Sequence, residues 1–297
     1  MCKERYVNPF TDFGFKRLFG TEANKDILIH FLNAVLENEE DIVDLTYHNV
    51  EKLGPSERDR RAIYDIYCKT ASGDHIIVEM QRGWQEHFVE RCIYYSSMAV
   101  TDAAAKGDWD FNLPRVYTIA LLNFEPKEFA DSRDFKHTWG ICDTKTGKVS
   151  TKALNYVFLE MKKFKKGINE LETLTDKWMY VINNLYLLDE YPSAITEKIF
   201  KRFFKEAKIS AFTEEERFAY EESLKEMRDY NNTIASTAKA KFAEGMTQGM
   251  AQGMAQGMVQ GRVEEKYNMA RLMKNAGEPV EKISAYTGLD KEEIRNL

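Results

Sequence analysis

Apolar residues recur along this chain at two spacings, and the switches between them predict its elements. In NKDILIHFLNAVL, the positions Ile27, Ile29, Phe31, Leu32, Val35 and Leu36 mostly fall at helical spacing, so a helix or helix pair is expected from about Thr11 to Glu37. IVDLTYHNVEKL reads as a first strand region ended by Gly54-Pro55. The segment from Ala62 to Gly83, AIYDIYCKTASGDHIIVEMQRG, then reads as two apolar strands joined by a short turn. A helix follows in EHFVERCIYYSSMAVTDAAAKG, with Phe88, Cys92, Tyr95 and Met98–Ala99 on one stripe and Gly107 as its stop. RVYTIALLNF is almost continuously apolar, the signature of a strand buried on both faces. Helix, three strands, helix and strand in that order predict an α/β sandwich core of about 125 residues.

Downstream the period changes. Residues 130–165 read as a β excursion, with a hairpin in TWGICDTKTGK and a further strand in NYVFLEMKKF. From Asn169 the spacing is helical through Asn231, which predicts a second, helical lobe. There follows EGMTQGMAQGMAQGMVQGR, in which Gly245, Gly249, Gly253, Gly257 and Gly261 recur every fourth residue. At 100° per residue such a stripe drifts by about 40° per repeat, so a glycine ridge winds slowly around a helix. Each glycine costs up to ~1 kcal/mol relative to alanine there. A close-packed partner helix, against which the flexible methionines repack, would offset that. The alternative is a flexible tether with partial helicity. The expected organisation is thus a core with β extension over 1–165, a helical lobe over 166–236, a repeat helix over 237–267 that joins copies into a homo-oligomer, and a small helical segment over 268–297. In that last segment Gly277 and Gly288 end helices, Pro279 sits in a first turn, and Asp290 with Glu293 forms a capping-box start. Residues 278–297 carry five acids against three bases, which favours a packing or oligomer cap over a DNA-reading helix-turn-helix.

Composition narrows the function classes. The 297 residues are 43% hydrophobic and 30% charged, as in a folded globular protein rather than a disordered chain. MCKERYVNPF has no apolar secretion region, and no apolar run approaches the roughly 20 residues of a membrane helix, so no membrane partner is expected. Four scattered cysteines without a CxxC pair, with five histidines, argue against zinc or a disulfide framework and for a reducing cytoplasm. The net charge of −6 argues against a non-specific DNA coater but leaves room for a nucleic-acid enzyme, which needs only local cations and a metal.

The candidate chemistry lies in the hairpin. Ile63, Asp65 and Tyr67 share one strand face, and His75, Ile77, Glu79 and Gln81 share one face of the next. A three-residue connection, Ala71-Ser72-Gly73, with glycine at its left-handed position places residue 65 opposite residue 79. Two facing carboxylates repel by up to ~1 kcal/mol, and burial adds to that. A divalent cation reverses the sign, since Mg²⁺ is typically held by one or two carboxylates, waters and substrate phosphate oxygens. Gln81, on the same face, could orient the attacking water. The plain alternative is a pair of strand-edge acids facing solvent.

Longer stretches carry a resemblance. RRAIYDIYCKTASGDHIIVEMQRGWQEHFVERCIYYSS with TDFGFKRLFG upstream, followed in order by RVYTIALLNF, NYVFLEMKKFKK, DKWMYVINNL, EERFAYEESLKEMRDY and the glycine repeat, resembles the recombination-promoting nuclease/transposase family of the PD-(D/E)XK (restriction-endonuclease-like) superfamily. The resemblance implies a restriction-endonuclease-like α/β (α+β) fold, a mixed β-sheet flanked by helices, and a C-terminal helical lobe and tail. It implies a Mg²⁺-dependent DNA endonuclease, with Mn²⁺ as a substitute metal, no small-molecule cofactor, and a link to recombination or mobile elements. Asp65 and Glu79 would be the metal-holding acids, and Gln81 stands where the superfamily usually has lysine. Asp12 matches a characteristic acidic position, although a helix N-cap role would also explain it; Lys16 matches the lysine four residues on. Arg91 and Tyr95 match the following helix, Arg91 as a phosphate contact and Tyr95 as core. Two basic clusters, Arg58/Arg60/Arg61 and Lys162/Lys163/Lys165/Lys166, read as backbone-tracking groups or as solvated faces. A non-catalytic module that keeps the nuclease fold and acts through its helical repeat is the rival expectation.

Overall fold

In the computed structural model, which describes residues 4–37, 41–52, 62–103 and 112–297, the first helical region is a pair, α1 (Asp12–Phe19) and α2 (Lys25–Leu36). The cap of α1 is Thr11 rather than Asp12: its hydroxyl accepts from the Gly14 N–H at 3.0 Å and donates to the Asn8 carbonyl at 2.8 Å. Gly14 is required there, because a Cβ would sit 2.2 Å from that same carbonyl oxygen. Asp12 is thereby left in the first helical turn with its carboxylate available for other work.

Five short strands follow the helices: β1 (Leu45–Tyr47), β2 (Glu51–Lys52), β3 (Ala62–Ile63), β4 (Ile66–Thr70) and β5 (His75–Gln81). Then come α3 (Phe88–Ala103), β6 (Val116–Leu122), β7 (Lys136–Cys142) and β8 (Val149–Glu160). The rest is helical: α4 (Leu174–Asn184), α5 (Lys198–Glu206), α6 (Glu214–Asn275), α7 (Val280–Thr287) and α8 (Lys291–Asn296). Gly54-Pro55, Arg58, Arg60, Arg61 and Gly107 lie outside the described residues.

Six strands form one mixed sheet in the order β1-β4-β5-β6-β8-β7, with β5–β6 and β6–β8 parallel and the other pairs antiparallel. The β4–β5 turn closes with Gly73 at φ +93°, a conformation glycine adopts without Cβ strain. Residues 130–165 are not an excursion. β8 lies beside β6 through its inner half, and β7 folds back onto β8 as the sheet edge. The physical reason is burial: Val157 and Leu159 fill one face of the sheet and Phe158 the other, an arrangement open only to an interior strand. The continuously apolar β6 is buried along its whole length, as its composition predicts.

Two layers of helix cover this sheet. On one face Ile66, Ile76, Val78 and Leu121 pack with Phe15, Phe31, Trp178 and Phe203 from α1, α2, α4 and α5. On the other, Phe88, Cys92 and Ala99 of α3 cover Ile77, Val116, Ala120 and Phe158. The chain forms two compact units, residues 1–227 and 228–297. In the second, α7 and α8 close on the end of α6 around Ala270, Ile283, Leu289 and Ile294. Gly277 (φ +78°) and Gly288 (φ +70°) end their helices in the left-handed region. Asp290 and Glu293 make the expected reciprocal cap. Among the described residues no helix is long and apolar enough to cross a membrane.

Candidate active site

The first hairpin strand is broken where its acid sits. β3 pairs with β2 in a separate two-stranded ribbon, β4 pairs with β5, and Asp65 occupies the bend between them. The β4–β5 register pairs Ile66 with Val78 and Tyr67 with Ile77, so the next positions outward are Asp65 and Glu79. Asp65 is anchored there by the Met80 N–H, which donates to its Oδ2 at 2.7 Å.

Glu79 lies under α3 and is only 6% exposed. Its Oε1 is buried and has no hydrogen-bond partner among the described residues. Burial, and then the charge of Asp65, push its pKa up to about 8; Arg91, the Asp65 backbone and Lys16 act in the opposite direction. Asp65 is also raised, first by burial, while its hydrogen bond from Met80 and the charges of Lys16 and Arg82 hold it down. Asp12 adds a further negative charge to that environment. A buried, partly orphaned carboxylate beside a second one is unfavourable by itself.

The remaining predicted residues approach from two helices. Asp12 and Lys16 form an i,i+4 ion pair of 2.9 Å on α1, both half-exposed. A cavity of about 570 Å³ opens beside them. On the sheet's other face, the Arg91 Nη2 donates to the Gln81 Oε1 at 2.5 Å, and the Gln81 Nε2 donates to the Gly83 carbonyl at 3.3 Å. Arg91 also donates to Gln85 and lies over the rings of Phe88 and Tyr95, 5.2 and 5.8 Å from their centroids. The sequence pattern expects Arg91 to meet a phosphate; here it holds Gln81. Arg82, whose charge reaches Asp65, was not singled out from the sequence. Alternation places it on the strand face away from Gln81.

Among the described residues no group of three or more histidines, cysteines or acids gathers in metal-binding geometry. Asp65 and Glu79 nevertheless suit a hard divalent cation, because Mg²⁺ needs only one or two protein carboxylates when waters and phosphate oxygens complete its octahedron. The orphaned Glu79 oxygen is the atom such an ion would satisfy.

A family model described as PD-(D/E)XK nuclease family transposase matches residues 9–237. That span runs from the turn before α1 into α6 and includes the acidic hairpin, α3 and the whole sheet. Neither a search of curated proteins nor one of solved structures finds a significant match.

Proposed function

The chain belongs to the PD-(D/E)XK nuclease family transposases, and on that premise we propose that it is a metal-dependent DNA endonuclease whose active site is built on Asp65 and Glu79. The observation that carries this reading is the Glu79 carboxylate, buried with an oxygen that has no partner among the described residues and within reach of the charge of a second acid, Asp65, at the bend one position beyond the β4–β5 register. Asp65 and Glu79 would hold Mg²⁺, or Mn²⁺ in its place. When bound, the ion supplies Lewis-acid polarisation of the scissile phosphodiester and lowers the pKa of the attacking water.

The chain's own groups do the positioning. Gln81 orients water through its amide, and Arg91 fixes which way that amide is turned by binding its oxygen. The guanidinium also brings to this position the positive charge that glutamine lacks and lysine would provide. Lys16, whose charge is felt by both acids, stands where it can meet a phosphate once its pairing with Asp12 loosens. Asp12 sets the position of Lys16 and adds to the negative field at Asp65. A role in recombination or in mobile elements fits the family's transposase description.

Plasmid cleavage tests the reading. Wild-type protein is expected to nick or linearise supercoiled DNA with Mg²⁺ or Mn²⁺ and to stop in EDTA. Asp65→Ala is expected to slow cleavage by roughly 10²–10³-fold or more, as when a preorganised electrostatic group is removed. Cleavage indifferent to both Asp65→Ala and Glu79→Ala would discard the site and leave the non-catalytic module as the better account.

The repeat carries the proposal of self-association. It is helical throughout within α6, yet Met246, Met250, Met254 and Met258 are 54–71% exposed, and a Cβ built on any of its five glycines would meet nothing within 4 Å. A ridge of small residues flanked by exposed methionines suits close approach of a second copy. In sedimentation velocity the full chain is expected to run as an oligomer and a chain ending near Ser236 as a smaller species. Identical monomers would remove the proposal.

A further inference from the structure

The carboxyl ends of the parallel strands β5, β6 and β8 form one rim of the sheet, the place where α/β folds usually seat ligands. A second cleft, of about 440 Å³, opens on this rim and includes Asn123, Lys162, Lys165, Asn183 and Tyr186 in its lining. It adjoins the candidate active site through the backbone. The Asn123 N–H donates to the Gln81 carbonyl at 2.9 Å, and the Met161 N–H donates to the Leu122 carbonyl at 2.9 Å. Asn123, in the cleft lining, thus lies about one strand spacing, ~4.8 Å, from the Gln81 backbone.

Its charge sets it apart. No described carboxylate lines the cleft, in a protein whose net charge is −6. The four lysines of the cluster divide into two kinds. The Lys163 Nζ is committed to the carbonyls of Phe129 and Ser132 and to Glu160, and Lys166 is ion-paired with Asp176 at 2.8 Å. Lys162 and Lys165 are exposed and make no ion pair among the described residues. In an acid-rich chain, two uncompensated lysines over an amide-lined cleft beside the candidate active site complement a polyanion.

We propose that this cleft is the track for the DNA strand flanking the scissile bond, with Lys162 and Lys165 contacting successive phosphates. The proposal rests on the nuclease reading of the Asp65–Glu79 site and adds to it where the strand lies. Neutralising two phosphates releases their counterions, so two contacts account for about 1.8 of the slope of log Kobs against log[salt].

The test is fluorescence anisotropy of the full chain with a labelled duplex in EDTA, titrated at several salt concentrations. Lys162→Ala/Lys165→Ala is expected to bind about tenfold more weakly near physiological salt, with a slope smaller by about 1.8. Lys145→Ala/Lys148→Ala, which removes the same charge from the exposed turn between β7 and β8, is expected to leave the slope unchanged, and Lys162→Arg/Lys165→Arg to restore it. An unchanged slope in the first variant, an equal loss in the turn variant, or no DNA binding by the wild type overturns the proposal. Metal-dependent plasmid cleavage judges the nuclease reading separately. Cleavage with no lysine effect discards only the track; a lysine effect without any cleavage leaves a DNA-binding cleft and discards the nuclease.

Discussion

Replacing Glu79 with glutamine is expected to make the metal-free protein more stable at neutral pH while abolishing metal-dependent cleavage. Glutamine keeps the volume of the side chain and is neutral without the proton that burial and Asp65 oblige the Glu79 carboxyl to hold in the folded state. Relief of such a buried, under-satisfied carboxyl is worth about 1–3 kcal/mol. In a domain of this size that raises the melting midpoint by roughly 2–4 °C per kcal/mol. The pH dependence has a definite sign. The folded protein keeps the Glu79 proton up to about 8, whereas the unfolded chain releases it near the ordinary value of 4.5. The folded state therefore binds more protons between these values, and stability falls as pH rises through that window. The Glu79→Gln variant is expected to lose this slope. Divalent cation reverses the ranking, because an ion that binds only the folded wild type adds about 2.7 kcal/mol at a hundred times its Kd. Thermal melts of both proteins across pH, in EDTA and in Mg²⁺, check all of this. A variant that melts lower than wild type in EDTA at pH 8 and still cuts DNA would contradict it.

Trp178→Ala is expected to cost about 3–5 kcal/mol, a large part of the 5–15 kcal/mol that normally separates folded from unfolded. Trp178 is fully buried, and its ring lies 4.7 Å from Phe200, 5.2 Å from Phe203, 5.7 Å from Phe31 and 5.9 Å from Phe19. Its Nε1–H donates to the His30 Nδ1 at 3.0 Å, and burial lowers the His30 pKa, which favours the neutral, accepting imidazole. Alanine leaves a cavity and an unpartnered ring nitrogen together. Because Phe19 ends α1, the same substitution loosens the helix that carries Asp12 and Lys16. Urea denaturation followed by circular dichroism should show a much lower midpoint, with Trp178→Phe intermediate. An unshifted midpoint would mean that this aromatic cluster is not the keystone of the core.

Part of the candidate site was legible from local chemistry alone. The Asp65–Glu79 register followed from one left-handed glycine, because turn length and a period of two leave a hairpin little freedom. The position of β6 followed from its unbroken apolar run. The bend at Asp65 was not legible, since nothing in AIYDIYC distinguishes one strand from two that join different sheets. The Arg91–Gln81 hydrogen bond was hidden for a related reason. It spans a loop and the first turn of α3, and its existence depends on the angle at which α3 crosses the sheet.

By itself the sequence determined the kinds of element, their order, the helix ends at Gly277 and Gly288, and which acids could meet in a hairpin. These are short-range consequences of side-chain period and backbone sterics, written into each segment. Tertiary structure alone decided that β8 joins β6 in the main sheet, that Glu79 is sealed beneath α3 with an oxygen unmatched among the described residues, and that Lys162 and Lys165 make no ion pair among those residues while Lys163 and Lys166 are engaged. Those outcomes depend on which distant surfaces bury one another, a competition among long-range contacts that no single segment encodes.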